Sequence, residues 1–256
     1  MTDDAVLFDA RPDGIAVITL NRPGRRNCLD KDIREGLFEA WDRFEHDPAL
    51  RIAVLTGSGS KAFCAGGDLA EMVETRMAEP PREMFPLPYD TIELSKPTIA
   101  AVNGAAFAGG WMIAQACDLC VASTTATFAV TEVKVGRSSP WAAPLIHMIP
   151  QRIMMEILLT GDPITARRAY EIGLVNRLAE PDELLPTALK LAGKVLAGAP
   201  LSVRAARETV MLATEMGRSA ALQAARHSAA RAYRSADAQE GPAAFAEKRP
   251  PQWRGE

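Results

Sequence analysis

The sequence lacks the side chains that most metal sites and disulfide frameworks need. It has four cysteines and three histidines in 256 residues. Cys117 and Cys120 have a CxxC spacing, but no second cysteine or histidine pair follows them, whereas a structural zinc ion takes four ligands. No metal site is therefore expected. We predict reduced, buried thiols at all four cysteines, because each lies among apolar or small residues; they are Cys28, Cys64, Cys117 and Cys120.

An excess of charge of one sign and a long apolar run are also missing. The formal net charge of -3 gives no electrostatic reason to expect nucleic acid or an anionic membrane as a partner. The acidic start, MTDDAVLF, does not have the basic and apolar regions of a signal peptide. Residues 98–117 carry no charge, but alanine dominates them and a membrane span needs about twenty strongly apolar residues. We therefore expect a cytoplasmic protein with no membrane partner.

Two nucleotide-binding patterns are absent as well. Residues 57–61 read GSGSK, but Ala62 follows where a Walker A motif requires serine or threonine. No GxGxxG fingerprint occurs in a suitable place. With 48% hydrophobic and 24% charged residues, the chain has the composition of a globular protein with one substantial core.

Hydrophobic periodicity predicts a β-rich first part and an all-helical end. The boundary is expected between a core at residues 1–195 and a helical oligomerisation region at residues 196–256. The predicted strands are residues 5–8, 15–20, 52–56, 97–102, 119–122, 128–129 and 175–178. The predicted helices are residues 31–46, a helix ending at 91–94, one from 111 onward, and then 144–149, 152–159, 166–172, 183–197, 201–216 and 218–234.

Two stretches of small residues are the strongest functional signal in the residues themselves. Residues 64–68 and 103–110 each follow a predicted strand and precede a predicted helix. A turn of glycine and alanine lets a ligand approach the backbone closely and leaves free N–H groups pointing at it. We therefore predict that the two turns face one pocket that holds an anion or a developing oxyanion. The Met- and Pro-rich residues 71–89 are either a mobile flap near this ligand or an ordinary surface connection.

These motifs together resemble the crotonase superfamily, the enoyl-CoA hydratase/isomerase family, over nearly the whole chain. The similarity rests on NRP at 21–23, KAFCAGGD at 61–68, PTIAAVNG at 97–104 with Gly109 and Gly110, LTG at 159–161, GLVN at 173–176 and FAEKR at 245–249. The resemblance implies an α/β fold, a spiral of ββα units followed by a C-terminal helical trimerisation region. It also implies homotrimers or dimers of trimers, an acyl-CoA thioester as ligand, and no cofactor beyond the coenzyme A of the substrate.

The resemblance assigns roles to particular positions. The backbone N–H groups of Gly67 and Gly109 correspond to the oxyanion hole. Arg26, Ala65 and Lys248 correspond to positions that contact coenzyme A, and Asp68 and Leu69 complete the predicted substrate-binding set. We expect Asp68 to act mainly by accepting hydrogen bonds from backbone N–H groups of its turn. Lys61 and Arg25 are either further phosphate ligands or solvated surface charges.

The acid/base groups depart from the pattern of the family's hydratases, which use two carboxylates. Met112 occupies the position of the first carboxylate and cannot carry a proton. Glu132 matches the second carboxylate and is the predicted catalytic acid/base. Trp111 and Trp141 are bulky residues expected at the acyl pocket together with Met112. Residues 137–144, RSSPWAAP, also differ from the usual Gly-Gly helix start.

Several reactions remain open at this point. Double-bond isomerisation needs one carboxyl and is better supported than efficient hydration. Hydrolysis or decarboxylation of a CoA ester are alternatives within the family. A non-catalytic acyl-CoA-binding paralogue is an alternative of a different class.

Overall fold

The computed structural model describes residues 4–256, so the first residues of the acidic start lie outside it. Ten strands form two sheets. In chain order they are β1 Val6–Ala10, β2 Ile15–Leu20, β3 Ile52–Gly57, β4 Ala62–Cys64, β5 Thr98–Val102, β6 Ala105–Phe107, β7 Leu119–Ser123, β8 Thr127–Ala129, β9 Ile164–Thr165 and β10 Arg177–Ala179.

Nine α-helices are present in the described residues. They are α1 Lys31–His46, α2 Leu69–Thr75, α3 Gly109–Gln115, α4 Gln151–Thr160, α5 Ala166–Glu171, α6 Leu184–Leu196, α7 Pro200–Glu215, α8 Arg218–Tyr233 and α9 Asp237–Glu247. Short 3-10 helices span Pro23–Arg25, Arg82–Met84, Glu132–Val135, Pro140–His147 and Pro181–Glu183.

The two sheets repeat one connection three times. The main sheet has the order β1-β2-β3-β5-β7-β10, and the small sheet has the order β4-β6-β8-β9. From β3, β5 and β7 of the main sheet the chain passes directly into β4, β6 and β8 of the small sheet. Strands β3, β5 and β7 pair in parallel, and so do β4, β6 and β8, whereas β8 and β9 are antiparallel. Helices α2 and α3 follow β4 and β6. This repetition is the ββα spiral that the sequence predicts.

Alternating side chains of the main sheet bury both of its faces. Ala16 and Ile18 point to the core that contains α1, whereas Ile15 and Val17 belong to the core beneath α6. This follows from the two-residue period of a strand. Asp30 starts α1 by accepting a hydrogen bond from the Ile33 amide at 3.0 Å.

Four sequence-based assignments are wrong. Residues 91–94 do not end a helix, because Leu87 accepts backbone hydrogen bonds from the amides of Asp90, Thr91 and Ile92 in a tight turn. The small-residue stretch 103–110 contains strand β6, whose alanines carried no strand signal. Of the predicted helix 144–149, residues 144–147 belong to the 3-10 helix Pro140–His147, and the last strand begins at Arg177 rather than 175.

The C-terminal helices have few contacts with the sheets. Helices α7 and α8 lie mainly against each other, and α9, which was not predicted, packs on α8. Helix α6 ends on the main sheet at Leu196, and the division at residues 195 and 196 stays a prediction. In residues 4–256 no single helix is long and apolar enough to cross a membrane. Pro181–Leu196 and Pro200–Glu215 meet that test only as a pair, bent by 106°.

Candidate active site

The two small-residue turns meet, as predicted. A Cβ atom added to Gly66 would lie 2.9 Å from the Phe107 carbonyl oxygen, and one added to Gly109 would lie 3.7 Å from the Gly67 nitrogen. At Gly110 the added atom would lie 2.0 Å from the Cys64 carbonyl oxygen. Larger residues at these positions would push the turns apart, so the glycines bring the two backbones together.

The amides of Gly67 and Gly109 remain available for a ligand. Neither N–H group donates a hydrogen bond to another protein atom in the described chain. Ala108, just before Gly109, has φ 49° and ψ -121°, a conformation that costs a non-glycine residue about 1–3 kcal/mol. Its own amide donates to the Ala129 carbonyl oxygen at 2.8 Å, which fixes the turn against β8.

Asp68 caps the helix that follows the first turn. Its carboxylate accepts a hydrogen bond from the Ala70 amide at 3.0 Å, as predicted, and it also pairs with the Arg25 guanidinium. Arg25 bridges to Asp30 as well, with 3.1 Å between Nη1 and Oδ2. Arg25 therefore stabilises the turn through two carboxylates, and this pairing explains the residue without a phosphate. Cys28, Asp30 and Asp68 lie close together, and Arg25 bridges the two carboxylates of this group.

Glu132 is half-buried, and its two carboxylate oxygens differ: one accepts a hydrogen bond, and the other has no hydrogen-bond partner in the described residues. Its Oε1 accepts a hydrogen bond from the Trp141 indole Nε1 at 2.8 Å. Its Oε2 is buried without a hydrogen-bond partner in the described residues. Burial raises the pKa of Glu132, while the bond from Trp141 lowers it by a smaller amount. Such a carboxyl can accept or donate a proton at Oε2 while Trp141 holds its orientation.

Helix α3 connects this carboxyl to the second turn. Gln115 on α3 donates from Nε2 to the Trp141 carbonyl oxygen at 2.6 Å, and Trp141 in turn holds Glu132. Trp111 is fully buried, with its ring edge-to-face against Phe128 at a centroid distance of 5.7 Å.

Met112, at the position of the missing carboxylate, is 3% exposed. Trp111 and Met112 are both buried, and of the three predicted pocket residues Trp141 is the one whose side chain donates a hydrogen bond to Glu132 in residues 4–256.

The predicted coenzyme A positions fall into two groups. The Ala65 amide donates to the Arg26 carbonyl oxygen at 3.0 Å, so these two residues are neighbours. Leu69 follows Ala65 by four residues, at the start of α2, and is 58% exposed. Lys61 is exposed and Lys248 ends α9 with an exposed side chain. No hydrogen bond or ion pair in residues 4–256 joins Lys248 to the two turns.

A cavity that sequence reasoning missed lies directly beside Gly67. Its volume is about 30 Å³ and its lining is largely apolar, with Met72, Met77, Met84 and Phe85 among the residues. The Met72 methyl group lies 2.5 Å from where a Gly67 Cβ would be, so Met72 packs directly beside Gly67. Because that volume suffices for about one water molecule, an acyl chain has to displace these flexible side chains to enter.

Two arginines hold the segment that closes the cavity, through Glu71, Met77 and Ala78. Arg34 of α1 makes two hydrogen bonds to the Glu71 carboxylate, at 2.8 and 2.9 Å, and one to the Leu29 carbonyl oxygen at 2.7 Å. Arg137 donates to the carbonyl oxygens of Met77 and Ala78 at 3.0 and 2.9 Å. The sequence analysis noted Arg137 only as part of residues 137–144, which differ from the family's usual Gly-Gly helix start.

The fold defines the class: two sheets wound in a ββα spiral with C-terminal helices are a crotonase-type α/β fold. The family description Enoyl-CoA hydratase/isomerase matches residues 10–256. An (E)-benzylidenesuccinyl-CoA hydratase of Thauera aromatica is 39% identical over 253 residues, which cover 94% of this chain and 96% of that protein. A carnitinyl-CoA dehydratase of Salmonella arizonae is 38% identical over 251 residues, which cover 94% of this chain and 95% of that protein.

Solved structures agree with this result. An enoyl-CoA hydratase from Mycobacterium tuberculosis H37Rv superposes with a TM-score of 0.90 at 37% identity, covering 99% of this chain and all of that one (100%). An enoyl-CoA hydratase from Mycobacterium marinum superposes with a TM-score of 0.91 at 37% identity, covering 99% of this chain and 100% of that one. This chain belongs to the enoyl-CoA hydratase/isomerase family of the crotonase superfamily, and it is an acyl-CoA enzyme of that family.

Proposed function

We propose that the protein moves a proton on an enoyl-CoA thioester through an enolate, with Glu132 as its one catalytic acid/base. The observation that carries the proposal is the asymmetry of the Glu132 carboxyl. Trp141 holds one oxygen, and the other is buried and free. A raised pKa suits a group that takes up and returns a proton near neutral pH.

The amides of Gly67 and Gly109 would stabilise the charge that develops on the thioester oxygen. Donors that are already oriented toward a developing oxyanion contribute strongly, because they need no reorganisation during the reaction. The close packing of the two glycine turns and the lack of a protein acceptor for either amide support this role.

One carboxyl is enough for double-bond migration. Glu132 removes a proton from the α-carbon of a 3-enoyl-CoA, and the electron pair moves into the thioester carbonyl to give a dienolate. The same carboxyl then returns a proton to the γ-carbon, which yields the 2-enoyl isomer. Hydration also requires a group that activates water, and Met112 cannot supply one. We therefore favour isomerisation over hydration, although two relatives carry the names of a hydratase and a dehydratase.

Coenzyme A would enter as part of the substrate, and the reaction needs no other cofactor. Arg26, Ala65, Asp68 and Leu69 lie around the first turn and would receive the coenzyme A portion of the substrate. Lys248 is far along the chain in α9, so a role in this binding fits a neighbouring copy of the chain.

A homotrimer or a dimer of trimers would also cover exposed apolar side chains of the C-terminal helices. Val210 is 63% exposed, Leu222 52% and Phe245 88%. Single exposed apolar residues are common, but these lie on helices with few contacts to the sheets. We propose that such assemblies act in the cytoplasm.

The test is a panel of 2-enoyl-CoA and 3-enoyl-CoA thioesters, with double-bond migration, water addition and free coenzyme A scored separately by mass spectrometry. Glu132→Gln should lower the turnover of the best substrate about a thousandfold, since a lost acid/base group typically costs 10²- to 10⁴-fold. Glu156→Gln, which changes an exposed glutamate of α4, serves as the matched control. The proposal fails if Glu132→Gln keeps the wild-type rate on every thioester.

A further inference from the structure

Arg137 stands in the cavity beside Gly67 with no carboxylate partner. It follows Gly136, whose φ of 69° turns the chain after the short helix that begins with Glu132. The Arg137 amide donates to the Glu132 carbonyl oxygen at 2.9 Å, so the proposed catalytic carboxyl and this guanidinium flank the same turn of the chain. In residues 4–256 the Arg137 hydrogen bonds go to two backbone carbonyl oxygens, at 2.9 and 3.0 Å, and no ion pair involves it.

The other charges of the cavity are matched within the protein. Four charged residues line it. Glu71 is paired with Arg34, with 2.8 Å between Oε1 and Nη2, and Asp68 is paired with Arg25. Arg25 is shared between Asp68 and Asp30, whereas Arg137 has no carboxylate within ion-pair distance in residues 4–256.

We propose that Arg137 selects acyl-CoA thioesters whose acyl group carries a carboxylate, a specificity that rests on the proposed function. A guanidinium has five N–H donors in a planar arrangement, and the two carbonyl bonds leave three of them. The remaining donors can bind a carboxylate by charge-assisted hydrogen bonds. Because methionine and phenylalanine side chains dominate the rest of the lining, the acyl group would have an apolar section between thioester and carboxylate.

A purely structural role for Arg137 makes a different prediction. If the guanidinium only holds the backbone of Met77 and Ala78, its loss weakens the binding of charged and neutral acyl groups by the same factor. If it recognises a carboxylate, the preference for the charged ligand disappears. The ratio of two affinities therefore separates the roles, because any general loosening of the cavity cancels in it.

The experiment measures the Kd values of matched saturated thioesters by calorimetry: glutaryl-CoA against pentanoyl-CoA, adipyl-CoA against hexanoyl-CoA, and suberyl-CoA against octanoyl-CoA. For at least one chain length, the wild-type protein should bind the carboxylated member about 10- to 100-fold more tightly, the value of a charge-assisted hydrogen bond. Arg137→Met should reduce this ratio to about one, and Arg137→Lys should retain part of it. Arg152→Met, at an exposed arginine of α4 outside the cavity lining, should keep the wild-type ratio.

The outcomes separate this inference from the function on which it rests. Equal or weaker binding of the carboxylated member at every length overturns the role of Arg137 and leaves acyl-CoA binding intact. An unchanged ratio in Arg137→Met assigns the preference to another group and also overturns it. Failure of the wild-type protein to bind any of the six thioesters would overturn the proposed function as well. Circular dichroism of each variant confirms that the ratios come from folded protein.

Discussion

At the scale of single residues, the site depends on the pair formed by Glu132 and Trp141. The indole N–H orients one carboxylate oxygen, and the other is buried without a hydrogen-bond partner in the described residues. Sequence spacing indicated Glu132 but did not indicate its partner, since Trp141 is nine positions away and was predicted only as pocket wall. A hydrogen bond between side chains on two separate short 3-10 helices has no periodic signature in a sequence.

In the proposed function, the absence of a carboxyl at Met112 is what favours isomerisation over hydration. Met112→Glu should raise the yield of water addition at least tenfold relative to wild type, because a second acid/base group near the proposed enolate can then activate water. The position is 3% exposed, so the new carboxyl should also lower the free energy of unfolding. Mass-spectrometric scoring of hydrated product from a 2-enoyl-CoA checks the effect.

Met112→Gln is the control for that change, since it adds polarity and similar volume without an exchangeable acid. Equal water addition by the two variants would show that the pocket around Met112 has diverged beyond a single substitution.

At the scale of elements, helix α2 and the segment after it determine access to the Gly67 amide. Residues 71–89 show no helix or strand period over most of their length, so the sequence left open whether they form a flap or a connection. The structure places Met72, Met77 and Met84 against the site, where they close the cavity. The three methionines were visible in the sequence, but their common target depends on long-range packing through Arg34 and Arg137.

The ion pair between α1 and α2 should stabilise this arrangement. Arg34 is 8% exposed and makes two hydrogen bonds to Glu71. Arg34→Met should lower the free energy of unfolding at neutral pH by about 2 kcal/mol, since it removes charge-assisted bonds and leaves a partly buried carboxylate unpaired. Urea denaturation at fixed protein concentration measures the difference.

The pH dependence of this effect has a definite sign. Hydrogen bonding to Arg34 lowers the pKa of Glu71 in the folded protein. The stabilisation is therefore present above the ordinary glutamate pKa and is lost as the pH falls through the folded value. The difference between wild type and Arg34→Met should shrink in acid. Lys31→Met, which breaks an exposed pair with Glu35 at 3.7 Å, should cost under about 0.5 kcal/mol, and an equal cost for both variants would contradict the account.

At the scale of the whole molecule, the spiral brings together residues that are distant in sequence. Successive passes between the sheets place the turn after β4 beside the turn after β6, and strand β8 then leads to Glu132. The family motifs predicted this assembly, and within them the glycines at 66 and 110 are required by close backbone contact. Helix α9, which contains Pro242, was not predicted, and the 3-10 helix Pro140–His147, which contains Pro144, was predicted only from residue 144 onward.

The most direct test of the central claim is hydrogen exchange at the α-carbon of a saturated thioester. Butyryl-CoA incubated with the protein in D₂O should gain deuterium at the α-carbon, as mass spectrometry reports, and Glu132→Gln should abolish the gain.

The rate should fall on acidification at a pH above the ordinary glutamate pKa of about 4.3, because burial raises the pKa of Glu132 and the proton acceptor must be ionised. Exchange that Glu132→Gln leaves unchanged would contradict the account.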